Sequence, residues 1–333
     1  MFPPVKATAD GEFMTTPASD APAAVLPAAT ELARDGAQET GRGIAMMLVA
    51  VGLFTIMDAL VKWLGSRYPT IEIVFFRNLF AFVPVAVFVL RSGALVTLKT
   101  SRPMAHVLRS LIGLSALFAF FYSYTLMPLA DVIAISFAAP LFVTALSVPI
   151  LGEAVGARRW TAVLVGFAGV VVMVNPGAGV LEPVALVALA GTVGYALVMI
   201  LVRKLSRTES SAAIVFYYSL SSIVVAAAFM PFQWVAPDSG DFAILVIIGL
   251  VGGVAQIAMT LAFRLAPVAV VAPFDYSAMI WASLLGYFVW GDVPGLNVWT
   301  GVAIVVASGV YIVRREADLG LRRGVARRLH ARR

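Results

Sequence analysis

The sequence predicts an all-α integral membrane protein, with ten transmembrane helices arranged as two inverted five-helix repeats. Three observations lead there. Of 333 residues, 61% are hydrophobic and only 13% charged, at a mean hydropathy of +0.95, whereas soluble domains are about a quarter charged and about half apolar. Apolar runs recur at the roughly 20-residue length that crosses a bilayer. The first half of the chain also aligns on the second.

Composition excludes several chemistries. With no cysteine, the chain has no disulfide, thiol nucleophile, iron–sulfur ligand or cysteine-based zinc site. His106 and His330 are isolated and give no metal signature, and no cofactor is expected. The net charge of +6 fits a membrane protein with basic cytoplasmic loops, so nucleic acid is not an expected partner.

Residues 1–42 hold few large apolar side chains and are expected to be a disordered cytoplasmic tail. They lack the apolar core of a cleavable signal peptide. Ten helices follow, at about 43–64, 70–90, 104–126, 129–151, 158–175, 182–203, 211–231, 242–263, 268–290 and 296–313. Arg91-Ser-Gly93 and the segment from Lys99 to Pro103 separate the second helix from the third, and Pro128 turns the chain into the fourth. Asn175-Pro-Gly177 closes the fifth, and Pro237-Asp-Ser-Gly240 parts the seventh from the eighth. The first repeat is expected over 43–176 and the second over 182–315, with a basic cytoplasmic tail over 316–333.

A cytoplasmic N-terminus puts Arg102, Arg158, Arg159, Lys204, Arg207 and Arg264 on the inside and leaves essentially Arg67 outside. Both termini are then cytoplasmic, in the inner membrane. From Arg314 onward the chain carries eight arginines, a strip drawn to anionic lipid at about 1 kcal/mol per charge near the surface.

The repeat is explicit. Residues 60–79 match 201–220, with Leu60-Val-Lys62 on Leu201-Val-Arg203 and Ile73-Val-Phe75 on Ile214-Val-Phe216. Further along, Pro128 falls on Pro267, Gly152-Glu153 on Gly291-Asp292 and Trp160-Thr161 on Trp299-Thr300. An odd number of helices per unit makes the second copy enter the membrane from the opposite side. Transporters use the resulting pseudo-two-fold axis for alternating access, with the substrate near the midplane.

Several stretches resemble a known family: Glu72-Ile-Val-Phe-Phe-Arg77, Leu98-Lys-Thr-Ser-Arg-Pro103, Pro128-Leu-Ala-Asp131, Leu151-Gly-Glu153, Gly166-Phe-Ala-Gly169, Ala272-Pro-Phe-Asp275 and Gly291-Asp292. In this order and duplicated, they are similar to the drug/metabolite transporter superfamily, specifically its ten-helix EamA-type carriers. The resemblance covers about 43–315. It implies cytoplasmic termini, a central cavity, and movement of metabolites, amino acids or their analogues. The surroundings of Lys99-Thr-Ser-Arg-Pro103 and Ala272-Pro-Phe-Asp-Tyr276 are similar to the branch of S-adenosylmethionine uptake carriers.

Ionisable groups in lipid are costly and either pair or line a cavity. Asp58 and Arg77 fall at similar depth, roughly 10 Å in at 1.5 Å per residue, and Lys62 and Glu72 share a depth nearer the surface. Two pairs are therefore expected, Asp58–Arg77 and Lys62–Glu72, with Asp58–Lys62 as an i,i+4 alternative. Arg109 and Asp275 are at comparable depth in the other half of the bilayer. Pro273 breaks the backbone before Asp275, as Pro140 does in the helix that is its repeat mate. Asp275 is the leading functional residue, and Asn78, Tyr122, Tyr195, Tyr218, Gln256, Tyr276 and Trp281 are candidate cavity-lining residues. Gly249 and Gly253 form a small-residue face suited to close helix packing. Asp58, Glu72 and Asp275 are groups able to carry a coupled proton.

The expected function is secondary transport of a small polar metabolite, an amino acid or derivative, by a monomer or homodimer. An integral-membrane enzyme would need a cluster of carboxylates, His or Cys at one face, and a channel would need ordered polar rings. No nucleotide-binding loop is present.

Overall fold

The computed structural model describes residues 25–91, 98, 100–152, 156–174, 183–205, 208–266 and 271–330. Among them there are helices and no strand. The α-helices run α1 Val25–Leu64, α2 Thr70–Arg91, α3 Pro103–Leu126, α4 Leu129–Ser136, α5 Ala139–Leu151 and α6 Ala157–Val174. They continue as α7 Pro183–Leu205, α8 Ser211–Phe229, α9 Ser239–Leu265, α10 Ala278–Trp290 and α11 Leu296–His330. Short 3-10 turns occupy Met230–Phe232 and Ala272–Ser277.

Seven stretches are long and apolar enough to cross a membrane: 38–64, 70–91, 103–126, 129–151, 183–202, 213–232 and 239–262. Trp160–Met173 and Leu296–Ile312 are shorter apolar helices. The expected span at 268–290 begins outside the described residues and continues as the 3-10 turn and α10. The N-terminal expectation is corrected in part. Helix α1 is described from Val25, so the expected tail overlaps it over 25–42, and its residues 1–24 lie outside the described residues. The break at Asn175-Pro-Gly177 also lies outside them.

Local chemistry sets the boundaries. The carboxylate of Asp238 caps α9 by accepting the Asp241 amide at 2.8 Å, and the Ser210 hydroxyl caps α8 through the Ala213 amide at 3.0 Å. The fourth expected span is broken at Phe137-Ala138, just before Pro140, whose ring cannot continue the preceding hydrogen-bond ladder. The 3-10 turn that carries Pro273 breaks the corresponding place in the second half. Both broken segments end on a glycine in the left-handed region, Gly152 at φ 66° and Gly291 at φ 74°, where an L side chain is strained.

Packing does not follow chain order. Helix α9 packs on both α1 and α2, α3 packs on α7 and α8, and α6 packs on α11. Gly249 and Gly253 make the α2–α9 contact. A Cβ on Gly253 would stand 2.8 Å from the Ala81 carbonyl oxygen, so the small face serves intramolecular packing. Between them, a Cβ on Gly252 would meet Met57 Sδ of α1 at 2.7 Å and Arg77 Nε of α2 at 3.4 Å. The missing side chains let α9 sit between the first two helices.

One end of the bundle is tied by charged residues. Lys62 Nζ donates to Asp292 Oδ2 at 3.0 Å and to the Met127 carbonyl at 2.9 Å, and stands 5.0 Å from the Trp290 ring. Arg67 Nη1 and the Tyr68 hydroxyl both donate to Asp241 Oδ2, at 2.7 and 2.8 Å. Burial pushes the Tyr68 phenol up, and the Asp241 carboxylate that accepts its proton adds to the shift.

At the opposite end, Glu209 Oε1 accepts the Ser101 amide at 3.2 Å and its hydroxyl at 3.1 Å, while Oε2 lies 3.7 Å from His106 Nε2. The His106 ring packs on Tyr217 at 4.9 Å, and Tyr217 donates to the Leu98 carbonyl at 2.9 Å. Burial alone raises the Glu209 carboxyl, but the two Ser101 hydrogen bonds, with Thr100 and His106, outweigh it and hold the group below its ordinary value of 4.5. A depressed pKa stabilises this latch above that value, and the stabilisation is lost as pH falls below it. Hydrogen exchange, corrected for intrinsic rates, is therefore expected to show the Ser101 amide keeping its protection down to about pH 4.5 and losing it below that value. Glu209→Gln should abolish that pH dependence; a dependence that survives the substitution would assign it elsewhere.

Candidate functional site

A cavity of about 260 Å³ lies inside the helix bundle, near the lower end of the range for small-ligand pockets. Its walls come from α1, α2, α3, α4, α7, α8 and α9, with Asp275 of the 3-10 turn and Ala278 of α10. Most of the lining is apolar, including Phe54, Phe120, Phe121 and Phe137, and four charged side chains are set into it: Asp58, Arg77, Arg109 and Asp275.

Asp58 and Arg77 belong to a network supplied by the protein. Asp58 Oδ2 accepts the Tyr124 hydroxyl at 3.1 Å. Arg77 is buried, donates from Nη1 to Asn78 Oδ1 at 3.0 Å, and is close enough to act on the Asp58 charge. Asn78 is itself fixed by donating Nδ2 to the Val74 carbonyl one turn back, at 2.8 Å. The expected Asp58–Arg77 ion pair is thus not formed among the described residues, although both side chains line the same cavity.

Lys62 and Glu72 do not pair. Lys62 takes Asp292, and fully buried Glu72 accepts the Val235 amide through Oε2 at 3.1 Å. The Asp58–Lys62 alternative is not formed either. The physical reason is the position of α9: consecutive α1 and α2 do not pack on one another, so equal depth does not bring their charges into contact.

Arg109 and Asp275 both line the cavity, and among the described residues neither has an ion-pair partner. The Arg109 guanidinium lies 4.0 Å from the centre of the Tyr218 ring. Its Nε and Nη1 are buried and have no hydrogen-bond partner among the described residues. One turn along α3, Gly113 makes this arrangement fit, since a Cβ there would meet Tyr218 Cε2 at 3.1 Å.

Of the polar and aromatic candidates, Tyr195, Tyr218 and Gln256 line the cavity. Tyr122 and Trp281 do not: they are 39% and 45% exposed on the outer, apolar surface. Tyr276 turns away too, its ring edge-on to Phe137 at 5.0 Å and its hydroxyl against Gly309 of α11. Asn78 acts through Arg77. Sequence reasoning missed Tyr124, whose hydroxyl holds Asp58, and the ion pair of Asp292, which it read as a repeat mate and part of a family motif. Among the described residues, no group of three or more His, Asp or Glu side chains could hold a metal ion.

The sequence profile of the EamA-like transporter family matches residues 41–175 and 183–314. The chain is 30% identical over 274 residues to an S-adenosylmethionine uptake transporter of Rickettsia prowazekii (strain Madrid E), covering 82% of this chain and 93% of the relative. It is 24% identical to a riboflavin transporter of Brucella anthropi, over 81% of this chain and 98% of that one. It is also 30% identical to the pseudopaline exporter CntI of Pseudomonas aeruginosa (strain UCBPP-PA14), over 80% and 94%. A solved crystal structure aligns with 83% of this chain and 97% of its own at a TM-score of 0.56 and 20% identity, a likeness of fold.

Proposed function

The chain belongs to the EamA-like transporter family, and on that premise we propose that it is a secondary carrier that moves a small polar metabolite across the inner membrane by alternating access. An amino acid or derivative is the substrate class, with S-adenosylmethionine its first candidate. The observation that carries this reading is the cavity, where Asp58, Arg77 and Arg109 of the first half face Asp275 of the second.

The carrier has ten spans, counting α4 with α5 and the 3-10 turn with α10 as one broken span each, and both termini are cytoplasmic. The packing supports an inverted duplication. At a shift near 140 residues, the α1–α9 contact maps onto α7–α3, and the α2–α9 contact onto α8–α3. The α6–α11 crossing maps onto itself. Ala162 corresponds to Gly301 and Gly169 to Ser308, and the Ser308 hydroxyl donates to the Ala162 carbonyl while a Cβ on Gly169 would stand 3.0 Å from the Gly301 carbonyl. The two left-handed glycines are repeat mates as well. Such symmetry lets the halves exchange conformations around a fixed site.

Purified protein in proteoliposomes, given labelled S-adenosylmethionine, amino acids and riboflavin in turn, is expected to show saturable uptake of at least one, competed by the unlabelled compound. An imposed pH gradient should change the initial rate if a cavity carboxylate carries a coupled proton. Uptake no greater than in empty liposomes across the whole panel would reject the carrier reading.

A further inference from the structure

We infer that the ligand of this cavity is a zwitterion whose carboxylate is bound by Arg109 and whose cationic group is bound by Asp275. The inference rests on the cavity being the carrier's site and adds the division of labour within it.

Four charges of two signs line the space, but they are not equivalent. Asp58 accepts the Tyr124 hydroxyl and has Arg77 beside it, and Arg77 donates Nη1 to Asn78, which leaves its Nε as the one buried atom of that pair without a partner among the described residues. Arg109 is different. Tyr218 supports the face of its guanidinium but accepts no hydrogen bond from its edge, and the buried Nε and Nη1 remain without an acceptor among the described residues. A ring face orients an arginine while leaving its planar fork free for a carboxylate. Asp275 complements it: its carboxylate lines the same cavity and, among the described residues, accepts no hydrogen bond and has no ion-pair partner.

Leaving a buried donor or charge unsatisfied is costly, and the cost is relieved when a ligand supplies the partner. A ligand with one charge would satisfy one of these groups and leave the other bare among apolar walls. An uncharged ligand would leave both. A molecule bearing both a carboxylate and a cation satisfies both.

The test compares S-adenosylmethionine with its decarboxylated counterpart, which keeps the amino group and the sulfonium. Binding is measured by titration calorimetry on the full chain in detergent, after thermal melting has confirmed that each variant folds. Wild type is expected to prefer the intact compound by about 10- to 100-fold, the worth of one or two charge-assisted hydrogen bonds. Arg109→Gln should bring the two affinities within about threefold by weakening the carboxylate-bearing compound alone, a change within the scatter of one lost weak contact. Arg109→Lys, which keeps the charge, should restore part of the preference. Asp275→Asn should weaken both compounds alike, because both carry the cation.

If S-adenosylmethionine does not bind, the same comparison runs over amino acids and the amines formed by their decarboxylation. Equal affinity within every pair, a preference that survives Arg109→Gln, or no zwitterion bound at all overturns the inference. Uptake of riboflavin in that last case leaves the carrier reading standing, whereas the absence of all uptake removes both.

Discussion

Gly253→Leu is expected to unfold the α2–α9 contact. A Cβ at this position would stand 2.8 Å from the Ala81 carbonyl oxygen and 3.1 Å from its Cα. These are backbone atoms of a helix and have no rotamer through which to move aside. A leucine therefore has to push α9 away from α2 along its length, displacing Gly252 from Arg77 as well. Overpacking a tight core costs typically 1–3 kcal/mol, and backbone contacts place this case at roughly the top of that range or beyond it. The readout is the thermal melting midpoint in detergent, with Gly52→Leu as the control. Gly52 lies in α1 and has nothing within 4 Å of its Cβ position, so its substitution should leave the midpoint unchanged. A melting curve for Gly253→Leu that overlays the control would mean that α2 and α9 are not held this closely.

Arg77→Met is expected to be nearly as damaging, for an electrostatic reason. Methionine fills much of the volume, but the Asp58 carboxylate then loses the cation acting on it and keeps only the Tyr124 hydroxyl. Breaking a direct buried ion pair costs about 3–5 kcal/mol; Arg77 acts on Asp58 without bridging it, so the loss should fall below that range. The decisive variant is the double one. Asp58→Asn removes the orphaned charge and should recover most of the lost stability, giving a large coupling energy in the double-mutant cycle. Additive losses would show instead that Arg77 stabilises the bundle through packing or through Asn78.

What was legible in the sequence follows from what lipid penalises. Asp58, Arg77, Arg109 and Asp275 stood out because charges inside an apolar span have few places to go, and the cavity contains all four. The two chain breaks fall beside Pro140 and Pro273, where proline disfavours a continuous ladder, but Pro84 lies inside α2 and Pro149 inside α5, so proline alone does not locate a break. Partner choice was not readable. Depth along a helix is encoded by position, but the identity of the neighbouring helix is a property of the whole bundle, and α9 intervenes between α1 and α2. Lys62 accordingly pairs with Asp292 and not with Glu72.

Rotation about the helix axis was equally hidden. In a span apolar on every side, nothing in the sequence says which face meets lipid, so Tyr122 and Trp281 look the same as Tyr195 although they point outward. Tyr276 was misjudged for a related reason: it directly follows Asp275, and in the 3-10 turn the two diverge, one lining the cavity and the other reaching Gly309. Gly113 carried no signal, because its contribution is the space it leaves for Tyr218.

The charged ties near the ends of α1 and α2 also bear on how the protein is made. Glu72 finds its amide partner 163 residues later in the chain, Arg67 its carboxylate 174 residues later, and Lys62 its carboxylate 230 residues later. At a synthesis rate of about 5–20 residues per second, the ribosome takes roughly 8 to 46 s to deliver them. Throughout that interval the first hairpin sits in the bilayer with its ionic groups unmatched. Nascent chains stalled before residue 235 should thus be extracted from the membrane and degraded faster than those stalled after residue 292, and the second half of the gene acts as the insertion factor for the first.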